Sequence, residues 1–182
     1  MELTLQQQTI EAEDALAVQE LFFQNEWADG LPVVPPTKNK IEAMLNAVPM
    51  DPQTIIGAIP ERGCVFTLEV AAINSVMAGC LPEYFPVVVT AVSAISDPAF
   101  GLHGPSASTH GPAILIIVNG PVAKSIGLNY GQNLFGPGVR ANSTIGRAVR
   151  LILLNAGGTR EFDRSTLGHG GKFSYCIAEN ET

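Results

Sequence analysis

Strand and helix patterns alternate in the C-terminal half of the sequence, and this alternation restricts the fold more than any other feature. The run AILIIV at 113–118 is typical of a buried strand, and KFSYCIAEN near the C-terminus predicts a final strand. Between them, VRANSTIGRAVRLILLNAGG has apolar residues at helical spacing and ends at two glycines, so it predicts the longest helix. Interleaved strands and helices predict an α/β or α+β fold, a two-layer sandwich with a mixed sheet.

The N-terminal segment predicts a helical arm over residues 1–28. Within it, EAEDALAVQELFFQNEWA at 11–28 combines an acidic start with an amphipathic pattern. DGLPVVPPT then favours extended backbone, because proline fixes its own φ and disfavours helix at the residue before it. We therefore expect the arm to precede a single α/β domain over 29–182.

Shorter helices are expected inside that domain. The patterns predict one at about 38–48, one from Thr67, and one in GPVAKSIGL after the first strand. The segment 82–95 is ambiguous, because Pro82 can begin a helix whereas Pro86 and the VVV run that follows also fit a strand.

Charge and hydropathy limit the partners. The 182 residues include 10 basic and 17 acidic ones, and the resulting net charge of −7 disfavours nucleic acid and anionic membrane surfaces. The start of the sequence has no signal-peptide pattern, and the longest apolar run of the whole sequence, AILIIV at 113–118, is too short to cross a bilayer. The sequence therefore predicts a cytoplasmic protein. A mean hydropathy of +0.23 is high for a soluble domain, and predicts a buried interface with a second subunit in a homo- or hetero-oligomer.

The stretch NLFGPGVRANSTIGR, residues 133–147, predicts a site for a small anion. A glycine-containing loop leads into a helix, whose first N–H groups and dipole attract negative charge. Arg140 and Arg147 are seven residues apart and so lie on nearly the same helix face. The candidate substrate-binding residues are Asn133, Gly136, Gly138, Arg140, Asn142 and Arg147. The alternative is structural, with both arginines paired to acids such as Glu69 or Glu179.

Cys80 is the candidate nucleophile or redox thiol. Glu69 is a further candidate catalytic residue, because helical spacing allows it to share a face with Cys80. A carboxylate raises the pKa of a nearby thiol, however, so activation of Cys80 needs a positive neighbour from elsewhere. The alternative is an inert core thiol, because free cysteine is among the most buried residue types. The three cysteines show no CxxC spacing, so neither a disulfide framework nor a metal site is predicted.

Two histidines complete the set of candidate catalytic residues. His103 and His110 lie in HGPSASTH, a loop of small residues before a strand, where catalytic groups often occur. Imidazole titrates near neutrality, so proton transfer is the role we assign them, with a purely structural role as the alternative.

Five stretches together resemble one family: DGLPVVPPT, AAINSVMAGCLPEYFPVV, HGPSASTHGPAILIIVNGP, NLFGPGVRANSTIGRAVRLILLNAGG and FSYCIAENE. It is a poorly characterised bacterial family found fused with or next to UGSC-motif (seleno)proteins, and the resemblance covers roughly Asp29 to Glu181. It implies a cytosolic protein that works with a second component carrying the reactive Cys or selenocysteine motif, in a split, two-chain version of longer relatives. The family pattern has Asn where this chain has Val139, so no ligand contact is carried over to that side chain.

Two classes of function remain open. In the first, the chain is a subunit of a two-component, cysteine-dependent enzyme acting on a small anionic, carboxylate-like substrate by lyase, hydrolase or thiol-redox chemistry. In the second, it is a non-catalytic partner or scaffold that stabilises a separate Cys- or Sec-containing catalytic chain. We predict the first, and the sequence identifies no cofactor. The reactivity of Cys80 distinguishes the two.

Overall fold

The computed structural model describes residue 6 and residues 9–107, 113–159 and 175–181. Groups of helices are interspersed with strands along these residues, which confirms the predicted mixed helix-and-strand (α/β) fold. The helices are α1 (Ala15–Gln24), α2 (Lys38–Leu45), α3 (Leu68–Ala78), α4 (Phe85–Ile95), α5 (His103–Ser106), α6 (Pro121–Ser125) and α7 (Arg140–Ala156), and the strands are β1 (Ile55–Ile59), β2 (Cys64–Thr67), β3 (Leu115–Val118) and β4 (Tyr175–Ala178). In this part of the chain no helix combines the length and the apolar character needed to cross a membrane.

The strands of the described residues form two separate pairs. β1 and β2 are antiparallel and are joined by a 3-10 turn at Pro60–Arg62, followed by Gly63 with a left-handed φ of 64°. β3 and β4 are parallel, with Leu115 opposite Tyr175. Parallel strands need a long crossover connection, and α6 and α7 lie in the chain between these two. The expected mixed sheet is thus divided into an antiparallel pair and a parallel pair.

Helix α7 is the centre of the core because one of its faces is continuously apolar. Its buried large side chains are Ile145, Val149, Leu151, Ile152 and Leu153. They pack against α3, α4 and β4, and each fully buried aliphatic side chain contributes roughly 1.5 to 3 kcal/mol of transfer free energy. Gly157 follows the last residue of the helix, as the two glycines predict.

Local capping explains where α3 and α4 begin. The Thr67 hydroxyl accepts a hydrogen bond from the Val70 N–H at 3.2 Å, which caps the start of α3, and Gly79 ends this helix with a φ of 91°. The ambiguous segment 82–95 is a 3-10 turn followed by α4. Pro86 lies in the first turn of α4, where a missing N–H leaves no hydrogen bond unmade, so the VVV run continues as helix.

The N-terminal arm contains α1, which is shorter than the predicted helix over 11–28. Asp14 caps it by accepting hydrogen bonds from Leu16 N and Ala17 N. The side-chain amide of Gln19 donates to the carbonyl of Val33 and accepts from its N–H at 2.8 Å. This two-point contact fixes the arm to the segment that follows it.

Candidate functional site

Arg147 forms an ion pair with Asp29. Its Nε lies 2.9 Å from Asp29 Oδ2 and one terminal nitrogen lies 2.8 Å from Oδ1, a bidentate arrangement. The same terminal nitrogen donates to the carbonyls of Leu31 and Pro32, at 3.2 and 2.8 Å. The Asp29 side chain is fully buried and that of Arg147 is 19% exposed. This geometry favours the structural alternative for Arg147, with Asp29 in the place of the expected Glu69 or Glu179.

Arg140 differs from Arg147 because its guanidinium is exposed. Its Nε donates to the carbonyl of Gly79 at 2.9 Å, and its terminal nitrogens have no hydrogen bond within the described residues. It is the first residue of α7, and the preceding Val139 offers no capping side chain. Of the two predicted anion-binding arginines, Arg140 is therefore the one with donors still available.

The loop before α7 uses its side-chain amides internally. Asn133 has a positive φ of 60°, and its Nδ2 donates to the Pro137 carbonyl at 3.1 Å. A side chain at position 136 would collide with the Asn133 amide, which explains the need for Gly136, and Gly138 has a φ of 115°. These contacts close the loop.

Asn142 joins the start of α7 to another loop. Its Oδ1 accepts from the Asn129 N–H at 2.8 Å and its Nδ2 donates to the Asn129 carbonyl at 3.1 Å. The Ala178 N–H of β4 donates to that same carbonyl at 3.2 Å. Because both polar groups of the Asn142 amide are engaged, its contacts are those of a residue that holds α7, this loop and β4 together.

Cys80 is a buried thiol at the junction of α3 and α7. Its Sγ–H donates to the Thr144 carbonyl at 3.3 Å, and the side chain is 6% exposed. Burial raises the pKa of the Cys80 thiol to about 12, and the lowering effects of the Thr144 hydrogen bond and of Arg140 and Arg147 do not offset it. A thiol with this pKa is not a thiolate near neutral pH.

Glu69 lies at the opposite end of α3 from Cys80. About 15 Å of helix separates the two residues at 1.5 Å per residue. The buried Glu69 carboxylate accepts hydrogen bonds from the Gln6 N–H, at 3.1 and 3.2 Å, and from the Gln53 side chain. The structure therefore does not bring Glu69 and Cys80 together.

His103 is exposed at the start of α5, whereas His110 lies outside the described residues. The backbone carbonyl of His103, not its ring, is engaged, accepting from Arg62 at 3.1 Å. Arg62 also donates to the Ser106 hydroxyl at 3.0 Å and to the Gly157 carbonyl at 2.8 Å. Sequence reasoning missed Arg62, which ties the end of α7 to α5.

The described candidate residues thus lie at several separate positions in the fold and do not form one site. Arg140 and Cys80 meet where the end of α3 contacts the first turns of α7, while Glu69 and His103 are held by other partners. Among the described residues, no group of three or more His, Cys, Asp or Glu side chains is placed to hold a metal ion.

An apolar groove between α4 and β3 is a further feature that sequence reasoning missed. Its volume is about 460 Å³, and α4, β3, Phe100 and Val122 of α6 line it. Four large apolar side chains on its walls are substantially exposed, namely Phe100 (44%), Leu115 (48%), Ile117 (57%) and Val122 (37%). The LIIV run predicts burial, so only the tertiary arrangement reveals this open side. We call it the α4–β3 groove.

Comparison with known proteins identifies no relative of this chain. No protein-family model matches the chain, and neither a curated protein nor a solved structure is detectably similar to it. The contacts described above are therefore the basis for a proposed function.

Proposed function

We propose that this chain is a non-catalytic subunit that binds a second polypeptide through the α4–β3 groove. The observation that carries the proposal is the clustering of Phe100, Leu115, Ile117 and Val122, all exposed, along one groove. Contiguous exposed apolar surface of this kind marks interaction sites, because covering it removes apolar area from water.

The small size of the β3–β4 sheet supports the same proposal. Within the described residues this sheet has two strands, and so small a sheet depends on packing against further structure for its stability. In this chain β4 packs against α7, whereas alternate residues of β3, Leu115 and Ile117, face solvent. A partner on this side would complete the sheet's packing.

The state of the candidate catalytic residues favours a partner over an enzyme. Cys80 is buried with a raised pKa, Arg147 is committed to Asp29, and Glu69 lies at the far end of α3. The resemblance to proteins found with UGSC-motif chains fits as well, since it implies that the reactive cysteine or selenocysteine belongs to a second component.

Site-specific photo-crosslinking in the cells that naturally produce the protein tests this proposal. The photoreactive residue p-benzoylphenylalanine replaces Ile117 in the full chain. The matched control carries it in place of Ile55, which is 60% exposed on β1 and lies away from the groove.

We expect a discrete crosslinked adduct from position 117 and none of that mass from position 55. Mass spectrometry of the adduct identifies the second chain and the contacted segment. Identical adducts from both positions, or no adduct from position 117, would overturn the proposed function.

A further inference from the structure

We propose that the α4–β3 groove accepts an extended segment of a different protein, which adds to β3 as a third strand and places a basic residue near Glu179 and Glu181. This inference rests on the proposed function and specifies the partner segment by its chemistry: extended, apolar in the middle and basic at one end.

The backbone of β3 offers an unpaired edge to such a segment. Ile114 O accepts from Tyr175 N at 2.8 Å and Val118 O accepts from Glu179 N at 2.9 Å, so the even-numbered residues of β3 face β4. In a parallel ladder the alternate residues direct their N–H and C=O groups to the other side. The backbone groups of Leu115 and Ile117 therefore point to an edge that pairs with no strand of the described residues. Exposed edges of this kind bind extended peptides.

The groove runs along this edge and has the shape of a slot. All four residues of β3 line one side, and a single stripe of α4 lines the other, formed by Pro86, Val87, Thr90, Ala91, Ala94 and Ile95. The spacing of this stripe is that of one helix face. The Thr90 hydroxyl is already bonded to the Pro86 carbonyl at 2.8 Å, so the wall opposite β3 is effectively apolar. Affinity would come from the β3 backbone and from apolar side chains between the two walls.

Two carboxylates are hydrogen-bonded to the residues that follow β3, of which Asn119 lines one end of the groove. Glu179 Oε2 accepts from Asn119 Nδ2 at 3.1 Å, and Glu181 Oε1 accepts from the Gly120 N–H at 2.7 Å. Both side chains are exposed, and neither forms a salt bridge with a Lys or Arg of the described residues. Neutral donors fix these carboxylates beside the end of β3 without neutralising them, so a basic residue is the complementary group.

The same charges disfavour a second copy of this chain. The strand that a second copy would bring, LIIV at 115–118, contains no lysine or arginine to meet Glu179 and Glu181, and the next such residue along the chain is Lys124 on α6, six positions beyond β3. Each copy also carries a net charge of −7, which opposes self-association. The complementary segment therefore belongs to another protein.

Three synthetic nine-residue peptides test this inference on the full chain. KTVTVTVTK has the proposed chemistry, ETVTVTVTE reverses the end charges, and KTVTPTVTK contains a central proline that cannot donate a backbone hydrogen bond. Fluorescence anisotropy measures each Kd, and NMR hydrogen exchange measures protection of the Leu115 and Ile117 amides. The double variant Glu179→Gln, Glu181→Gln keeps the oxygen acceptors and removes the charge.

We expect the lysine peptide to bind about tenfold more tightly than either other peptide and to slow exchange of both amides. In the double variant, the preference for the lysine peptide over the glutamate peptide should fall below about threefold in Kd. Equal affinity for the lysine and glutamate peptides, an unchanged preference in the double variant, binding without amide protection, or no saturable binding of any peptide would each overturn the inference. An adduct from Ile117 with a different chain would leave the proposed function intact in all of these cases. A crosslinked adduct between two copies of this chain would overturn this inference but not the proposed function.

Discussion

Arg147 and Asp29, 118 positions apart in the sequence, form a bidentate ion pair whose carboxylate is fully buried. The pair joins the middle of α7 to the segment that follows the N-terminal arm. The two further bonds from Arg147, to the carbonyls of Leu31 and Pro32, hold a proline-containing stretch that has no regular secondary structure of its own. A residue in a predicted substrate site is thus engaged in tertiary packing.

Removing the Arg147 charge should destabilise the fold strongly. Arg147→Gln leaves the buried Asp29 carboxylate without its cation, and such a loss costs about 3 to 5 kcal/mol. Arg140→Gln is the matched control, since the Arg140 side chain is exposed and makes a single hydrogen bond among the described residues, and should cost less than about 1 kcal/mol. Urea unfolding of both variants measures the difference. Similar, small losses in both would show that the Asp29 pair does not stabilise the protein.

Arg140 still carries the prediction of an anion site. If phosphate binds at the start of α7, NMR titration with inorganic phosphate should shift the amides of Arg140 and Ala141 in a saturable way. Arg140→Gln should then weaken binding by about one to two orders of magnitude, the value of a charge-assisted hydrogen bond. Arg147 variants cannot serve as the control because they perturb the fold. The absence of a saturable shift in the wild-type chain would rule out phosphate at this position.

The buried thiols predict a loss of stability at alkaline pH. Burial raises the pKa of Cys80 and of Cys176 to about 12, whereas thiols in the unfolded chain ionise near 8.5. The unfolded state therefore binds fewer protons above about pH 8.5, and each thiol lowers the free energy of unfolding by up to about 1.4 kcal/mol per pH unit until pH 12.

Cys80→Ala isolates this contribution from the other groups that titrate above pH 9. Urea unfolding at about pH 8, 9 and 10 should show that the wild type loses stability more steeply than the variant, by up to about 1.4 kcal/mol per pH unit. Parallel pH profiles for the two proteins would mean that the Cys80 thiol ionises as readily in the folded chain as in the unfolded one.

The β1–β2 hairpin depends on a close approach at Gly57. A methyl group at this position would meet the Ser96 hydroxyl and lie 3.1 Å from the carbonyl oxygen of Val92, while Ser96 Oγ also accepts from the Ala58 N–H at 3.2 Å. Gly57→Ala should therefore destabilise by about 1 to 3 kcal/mol. Gly104→Ala, with open space around the added methyl group, should change stability by less than about 0.5 kcal/mol. Thermal unfolding compares them, and equal shifts in Tm would contradict the steric argument.

Local patterns predicted the elements whose signals are local. The start of α7 near Val139, its end at Gly157, and the strands β3 and β4 follow from periodicity and caps. The β1–β2 hairpin had a usable signal that was missed, since two runs of β-branched and aromatic residues, TIIGAI and CVFT, flank the turn residues PERG. The β1–β2 hairpin could therefore have been predicted from the sequence.

The candidate site was less predictable because it depends on distant contacts. Helical spacing places Arg140 and Arg147 on one face but does not reveal that Asp29 lies opposite Arg147. Likewise, an apolar run such as LIIV predicts burial, and its open edge follows only from the position of β3 in the sheet that it forms with β4 among the described residues. The same applies to Cys80, whose exposure no local pattern determines.

Rates of thiol alkylation test most directly whether this chain supplies a reactive cysteine. Cys64 is partly exposed and serves as the internal reference, while Cys80 and Cys176 are buried. The folded protein is treated with iodoacetamide at about pH 8, and mass spectrometry of the digested chain gives the rate at each cysteine. We expect Cys80 to react at least about a hundredfold more slowly than Cys64, because only a very small fraction of the Cys80 thiol is ionised at this pH. In denaturant, the two cysteines should react at similar rates. Alkylation of Cys80 in the folded chain as fast as that of Cys64 would contradict the proposal of a non-catalytic subunit.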